Sequence, residues 1–189
     1  MVRPLAPHTR ARWLSPTARQ ASPRHTARTI ASDADKYLAI YFNDHLAGAT
    51  AGLELAKRIR GQNEGTELGA FMEGLVAEID EDRQTLLEFM ERIDAGQDRL
   101  KVAGGWITEK LGRLKLNGQL LGYSPLSRFI ELEGLSLGIE GKRLMWLALV
   151  DTQPERFGAD RLRELVARAE RQREAVEEYR RAARDAFGT

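Results

Sequence analysis

The sequence predicts an all-α protein built as an antiparallel four-helix bundle. Apolar residues recur at spacings of three and four in four segments, at about residues 34–60, 66–94, 125–150 and 160–187. Glycine- and proline-containing turns separate these segments. With 42% hydrophobic and 30% charged residues, a chain of 189 residues can bury one good core. We therefore expect one bundle domain over residues 33–189.

The first two helices are predicted to form a hairpin. Ser32 or Asp33 caps the first helix, the turn Gly61–Gly65 ends it, and Thr66 caps the second helix. On the first helix we expect these residues to face inward: Leu38, Phe42, His45, Ala49, Gly52, Ala56 and Ile59. On the second helix the expected inward residues are Leu68, Met72, Leu75, Ile79, Asp82, Leu86, Phe89 and Ile93.

Residues 97–123 predict a long crossover with a short amphipathic helix around Trp106, because glycines interrupt this stretch. Ser124 and Pro125 start the third long helix, and Asp160 opens the last. The third helix is expected to point these residues inward: Leu126, Ile130, Glu133, Leu137, Glu140, Leu144 and Leu147. The last helix should do the same with Leu162, Leu165, Val166, Ala169, Val176, Tyr179 and Ala183.

The charge is unevenly distributed along the chain. Residues 1–32 contain six arginines and no acidic residue, so this segment is basic and the rest of the chain is acidic. Its Pro, Ser, Thr and Ala content without apolar periodicity predicts a disordered tail. Such a tail suits an arm that contacts nucleic acid or another polyanion, a transit peptide, or a docking segment. A purely solvated tail or a wrongly chosen start codon is the favoured interpretation.

Counting residues away from each turn predicts the register, that is, which residues of neighbouring helices lie at the same height along the bundle. A turn near residue 63 places His45 level with Asp82, one turn from Glu78. If the crossover makes the third helix antiparallel to the first, Gly48 meets Gly138 and Gly52 meets Gly134. Small residues at both positions would let the two backbones approach closely.

Two segments carry a family resemblance, Asn43-Asp44-His45-Leu46-Ala47-Gly48 and Tyr123-Ser124-Pro125-Leu126-Ser127-Arg128. Together with the helix order, they resemble the ferritin-like superfamily, in its uncharacterised bacterial branch, over residues 34–187. The resemblance implies a bundle with a long crossover. Di-iron members carry Glu-x-x-His motifs, whereas the histidines of this chain are His8, His25 and His45.

The departure from the di-iron pattern concerns two helices. Three residues after Glu78 stands Glu81 instead of histidine, and the last helix offers Glu170 and Glu174 with no histidine. The standard di-iron centre is therefore absent or rearranged.

Several polar residues nevertheless fall near one level of the predicted bundle. A rearranged iron or manganese site would use His45, Glu78, Asp82, Glu140 and Glu170. The same carboxylates could instead form a hydrogen-bonded polar layer, paired with arginines such as Arg83, Arg143 or Arg173. The polar layer is the favoured interpretation.

The remaining sequence features exclude several classes of functional site. The chain contains no cysteine, no phosphate-binding loop and no nucleophile elbow. No apolar run is long enough for a membrane helix, and no signal peptide is recognisable, so we expect a cytoplasmic protein. The sequence favours a non-catalytic binding or assembly protein that forms a homodimer and has no cofactor. The alternative is a metal-binding protein in iron handling or redox chemistry.

Overall fold

The computed structural model describes residues 23–93 and 123–187, and every regular element in these residues is helical. The helices are α1 (Pro23–Gln62), α2 (Glu67–Arg92), α3 (Pro125–Thr152), the short α4 (Pro154–Phe157) and α5 (Ala159–Ala182), followed by a 3-10 helix, Ala183–Phe187. The all-α class is thereby confirmed. None of the helices in these two ranges is both long and apolar enough to cross a membrane.

Helix α1 begins earlier than predicted. It starts at Pro23 instead of near residue 34, so residues 23–32 are helical where the composition indicated a disordered tail. Proline is favoured at the first helical position, and the alanines and arginines that follow are good helix formers. The predictions for residues 1–22 and for the crossover 97–122 lie outside the described residues.

The chain divides into two units, Met1–Ala34 and Asp35–Thr189, and all the packing described below belongs to the second unit. Local capping sets the ends of its helices. The Thr66 hydroxyl accepts a hydrogen bond from the Gly69 amide at 3.2 Å, and the Ser124 hydroxyl accepts one from the Ser127 amide at 3.1 Å. Both caps were predicted, because these side chains satisfy amides that the first turn of a helix leaves free.

The core consists of two apolar clusters, and all four long helices contribute to each. The first cluster contains Phe42, Leu46, Leu86, Phe89, Met90, Ile93, Met145, Trp146, Leu149, Phe157, Leu162 and Leu165. The second contains Leu53, Ala56, Ile59, Leu68, Met72, Leu75, Ile79, Leu132, Leu135, Ile139, Ala169 and Val176. Along α2 and α3 the division between the clusters falls at Asp82 and Lys142.

Helix α3 turns a different face inward from the one predicted. Leu126, Ile130, Leu137 and Leu144 are 45–69% exposed, and Glu133 is exposed too. The buried residues of α3 are Glu131, Leu132, Leu135, Ile139, Met145, Trp146 and Leu149. Because α3 is apolar on two faces, apolar spacing alone allows two orientations, and the prediction chose the wrong one. We call Leu126, Ile130, Gly134, Leu137, Gly141, Leu144 and Ala148 the outer face of α3.

The predicted glycine contacts between α1 and α3 are also wrong. A Cβ atom added at Gly48, Gly52 or Gly138 would meet no atom within 4 Å. A Cβ at Gly134 would lie 3.6 Å from the Leu55 side chain. A leucine therefore fills the space that the register prediction assigned to a second glycine, and the backbones do not meet at these residues.

Candidate functional site

Asp82 forms the buried centre of a polar layer between the two apolar clusters. It is only 2% exposed, and it pairs with Lys142 through one carboxylate oxygen and with Arg168 through the other. Lys142 Nζ also donates to Gln172 Oε1 at 2.5 Å, and Gln172 Nε2 donates to Glu78 Oε2 at 2.8 Å. We define the polar layer as Glu78, Glu81, Asp82, Lys142, Arg168 and Gln172.

Helical spacing brings these side chains together. Asp82 lies on the inward stripe of α2, between Ile79 and Leu86, at a position where the helical pattern would place an apolar residue. Arg168 and Gln172 lie four residues apart on α5 and so share a face. The sequence predicted a polar layer at Asp82, but the partners expected there were arginines such as Arg83, Arg143 or Arg173. Lys142 was missed because it lies on the inward stripe of α3, the orientation that the apolar pattern did not resolve.

The electrostatics of the polar layer favour a structural role. Burial lowers the pKa of Lys142, and the nearby Asp82 carboxylate opposes that shift. Arg168 is shared, because it also donates to Glu81 at 2.9 Å. A buried carboxylate held by two cations is compensated, whereas the removal of one partner would leave an unpaired buried charge. These contacts occupy both oxygens of Asp82.

Glu140 and Glu170 belong to a second group of charges, along the side of α3 that faces α5. Arg143 donates to Glu140 at 2.7 and 2.9 Å and to Glu170 at 3.3 Å. Arg173 lies 3.4 Å from Glu140. The hydrogen bonds from Arg143 lower the pKa of Glu140. Arg143 and Arg173 are two of the arginines that were predicted from the sequence as partners of the carboxylates.

His45 is half-buried and lies edge-on against the Tyr41 ring, with the ring centres 4.5 Å apart. Burial lowers its pKa, which favours the neutral imidazole, although Asp44 opposes the shift. The five predicted metal ligands thus divide among three sets of contacts. In the parts of the chain that the structure describes, no group of three or more His, Asp or Glu side chains could hold a metal ion. The iron or manganese site stays a prediction.

A charged groove of about 850 Å³ runs between α2 and α5. Two of its three arginines pair within the groove: Arg161 donates to Glu88 at 2.7 Å, and Arg168 donates to Glu81. The complete lining is Ala77, Asp80, Glu81, Gln84, Thr85, Glu88, Arg161, Glu164, Leu165, Arg168 and Arg171. Sequence reasoning did not predict this groove, because it depends on which helices are neighbours.

Glu131 was missed by the sequence analysis as well. It is 3% exposed, and Arg58 Nε lies 2.8 Å from its Oε1 atom. Burial raises the pKa of Glu131, while Arg58 and a hydrogen bond with Tyr123 oppose the shift. The Tyr123 hydroxyl also accepts a hydrogen bond from Asn63 Nδ2 at 2.9 Å. This network ties the end of α1 to the start of α3.

The outer face of α3 is apolar, unlike the polar layer and the charged groove. Its seven residues carry no charge, exposed Glu133 borders it one turn from both Ile130 and Leu137, and its four large apolar residues are about half exposed or more. Exposed aliphatic residues that form a continuous stripe on one helix are typical of a surface that contacts another protein.

Searches of protein families, curated proteins and solved structures find no match to this chain.

Proposed function

We propose that this chain is a non-catalytic helical protein, a four-helix bundle of the ferritin-like type, that acts as a binding or assembly protein. Its partner would dock on the outer face of α3. The observation that carries this proposal is the exposure of Leu126, Ile130, Leu137 and Leu144 along a single stripe. The inward side of the same helix is already packed in both core clusters.

The energetics of α3 support a docking role. Full burial of one Leu or Ile side chain is worth about 1.5–3 kcal/mol, so covering four half-exposed side chains is worth several kcal/mol. Helix α3 is apolar on two faces, and only the inward one is packed against the core. Covering the outer face would give α3 the environment that its composition favours.

The polar layer supports the non-catalytic part of the proposal. Asp82, Lys142 and Gln172 satisfy one another inside the protein, as expected for residues that fix the register of packed helices. A reacting group would instead need to reach a substrate. The groove between α2 and α5 likewise holds arginines that are paired with glutamates of the same groove.

Photo-cross-linking tests the docking surface. Leu137→p-benzoylphenylalanine places a reactive group at the centre of the outer face, and Gly74→p-benzoylphenylalanine places one on an exposed part of α2 with open space around it. In a lysate of the native host, we expect a protein adduct at position 137 and none at position 74. No adduct at 137, or equal adducts at both positions, would contradict the proposal.

A further inference from the structure

The outer face of α3 repeats every seven residues. Ile130, Leu137 and Leu144 form one row of large side chains, while Gly134, Gly141 and Ala148 form a parallel row of small ones. A seven-residue repeat is the pattern of a seam between two packed helices. A row of small residues beside a row of large ones lets the facing helix approach closely. The pattern therefore points to a helix as the occupant.

We propose that this occupant is a second copy of the chain, with α3 packed antiparallel against α3 of the second copy. This inference rests on the proposed function, namely that the outer face is a docking surface. The two-fold axis would pass beside Leu137, near the middle of the 28-residue helix. A two-fold contact needs a surface that is complementary to itself.

The repeat meets this requirement. With Leu137 beside its own counterpart, Ile130 of one copy lies level with Leu144 of the other. Gly134 then lies level with Glu140, one residue from Gly141, and the two-fold axis repeats both relations. The antiparallel direction also places opposite ends of the two helix dipoles together.

The charges around the seam favour an identical partner over a strongly basic one. The seven residues of the outer face are uncharged, and two of the acidic residues beside it are paired within their own chain. Arg180 lies 3.6 Å from Glu133, and Arg173 lies 3.4 Å from Glu140. These pairs form part of a polar rim in which Glu133 and Glu140 each have a basic partner, so this part of the rim does not favour a strongly basic partner.

The available area sets the strength of the dimer. Helix α3, with its 28 residues, is about 42 Å long, and a helix is about 10 Å wide, which gives a contact footprint of roughly 400 Å² on each copy. Two copies would therefore bury on the order of 800 Å², which is less than a stable dimer needs and falls in the range of weak, transient contacts. We expect a dissociation constant on the order of micromolar to tens of micromolar.

Sedimentation equilibrium of the full chain between about 1 µM and 1 mM tests the dimer. We expect a monomer–dimer equilibrium for the wild type, and Leu137→Glu should stay monomeric over the same range. The matched control Ala77→Glu introduces the same charge at an exposed position on α2 and should leave the equilibrium unchanged. Circular dichroism establishes that both variants are folded. A wild-type chain that stays monomeric over this range would overturn the proposal.

Disulfide cross-linking tests the arrangement, because the chain has no cysteine of its own. Under mild oxidation Leu137→Cys should form a disulfide-linked dimer, whereas Ala77→Cys should not. Ile130→Cys should link to Leu144→Cys in a mixture but not to itself. A link between two Ile130→Cys chains would overturn the antiparallel packing.

The two proposals can fail separately. A monomeric wild-type chain that still gives a photo-adduct with a different protein at position 137 would overturn the second copy as occupant and leave the docking surface in place. A monomeric chain with no adduct would overturn both.

Discussion

At the scale of single residues, the pairing of Asp82 is the strongest polar constraint in the core. Its carboxylate holds Lys142 and Arg168 together, so each of three helices contributes one charge to the same buried point. Glu81 offers a comparison, because it also pairs with Arg168 but is mostly exposed. The two carboxylates should therefore differ in their contribution to stability.

Asp82→Asn should lower the free energy of unfolding by about 3–5 kcal/mol, because it leaves the largely buried Lys142 without its counter-charge and removes one of the two carboxylates that pair with Arg168. Glu81→Gln removes an exposed partner of the same arginine and should cost about 1 kcal/mol or less. Urea unfolding followed by circular dichroism measures both values. Equal losses in the two variants would mean that the polar layer does not work as described.

Glu131 predicts a dependence of stability on pH. Its folded-state pKa is raised above the ordinary value of 4.5, so its favourable contribution is complete below that value and declines as the pH rises through the folded-state pKa. The unfolding free energy of Glu131→Gln minus that of the wild type should therefore increase from about pH 3 to pH 7.

Glu177 provides a control of opposite sign. Hydrogen bonds from Arg180 and Arg181 lower its pKa to about 2, so its contribution is present above 4.5 and is lost as the pH falls towards 2. The corresponding difference for Glu177→Gln should decrease over the same pH range, by a small amount because this carboxylate lies at the surface. A difference for Glu131→Gln that is flat or falls with pH would contradict the raised pKa.

At the scale of elements, the start of α2 depends on a close approach of two backbone segments. A Cβ atom at Gly69 would lie 2.1 Å from the Asn63 carbonyl oxygen, whereas one at Gly74 would meet no atom within 4 Å. Gly69→Ala should therefore destabilise the protein by about 1–3 kcal/mol or more. Gly74→Ala should stabilise it by up to about 1 kcal/mol, because alanine is the better helix former. Thermal unfolding of the two variants measures this contrast, and shifts in the same direction would refute it.

The elements show what the sequence could predict. The Thr66 and Ser124 caps were predicted because a cap depends on residues close in the chain. The inward face of α3 was wrongly predicted, because two apolar faces on one helix satisfy the same spacing rule. For Asp82 the sequence identified a polar position in the core, but its partners Lys142 and Arg168 depend on the packing of distant segments.

At the scale of the whole molecule, the polar contacts lead to an expectation about metal. Both oxygens of Asp82 hold cationic side chains, and Glu140 is held by Arg143. After anaerobic incubation with ferrous iron, elemental analysis should find well below one iron per chain, and His45→Ala should give the same value. One iron per chain, lost in His45→Ala, would instead support the rearranged site.

Self-assembly also links the stability of the whole molecule to its concentration. A ligand that binds only the folded state stabilises it, and in a dimer the second copy is that ligand. The outer face of α3 should therefore make the melting temperature depend on how much protein is present. Leu137→Glu, which places a charge at the proposed seam, should abolish this dependence.

Thermal unfolding of the wild-type chain at a series of protein concentrations is the most direct test of the account. We predict that the melting temperature rises by roughly 1–3 °C for each tenfold increase in concentration above the dissociation constant. The melting temperature of Leu137→Glu should stay constant over the same series. A wild-type melting temperature that does not change between about 1 µM and 1 mM would contradict the assembly of two copies through α3.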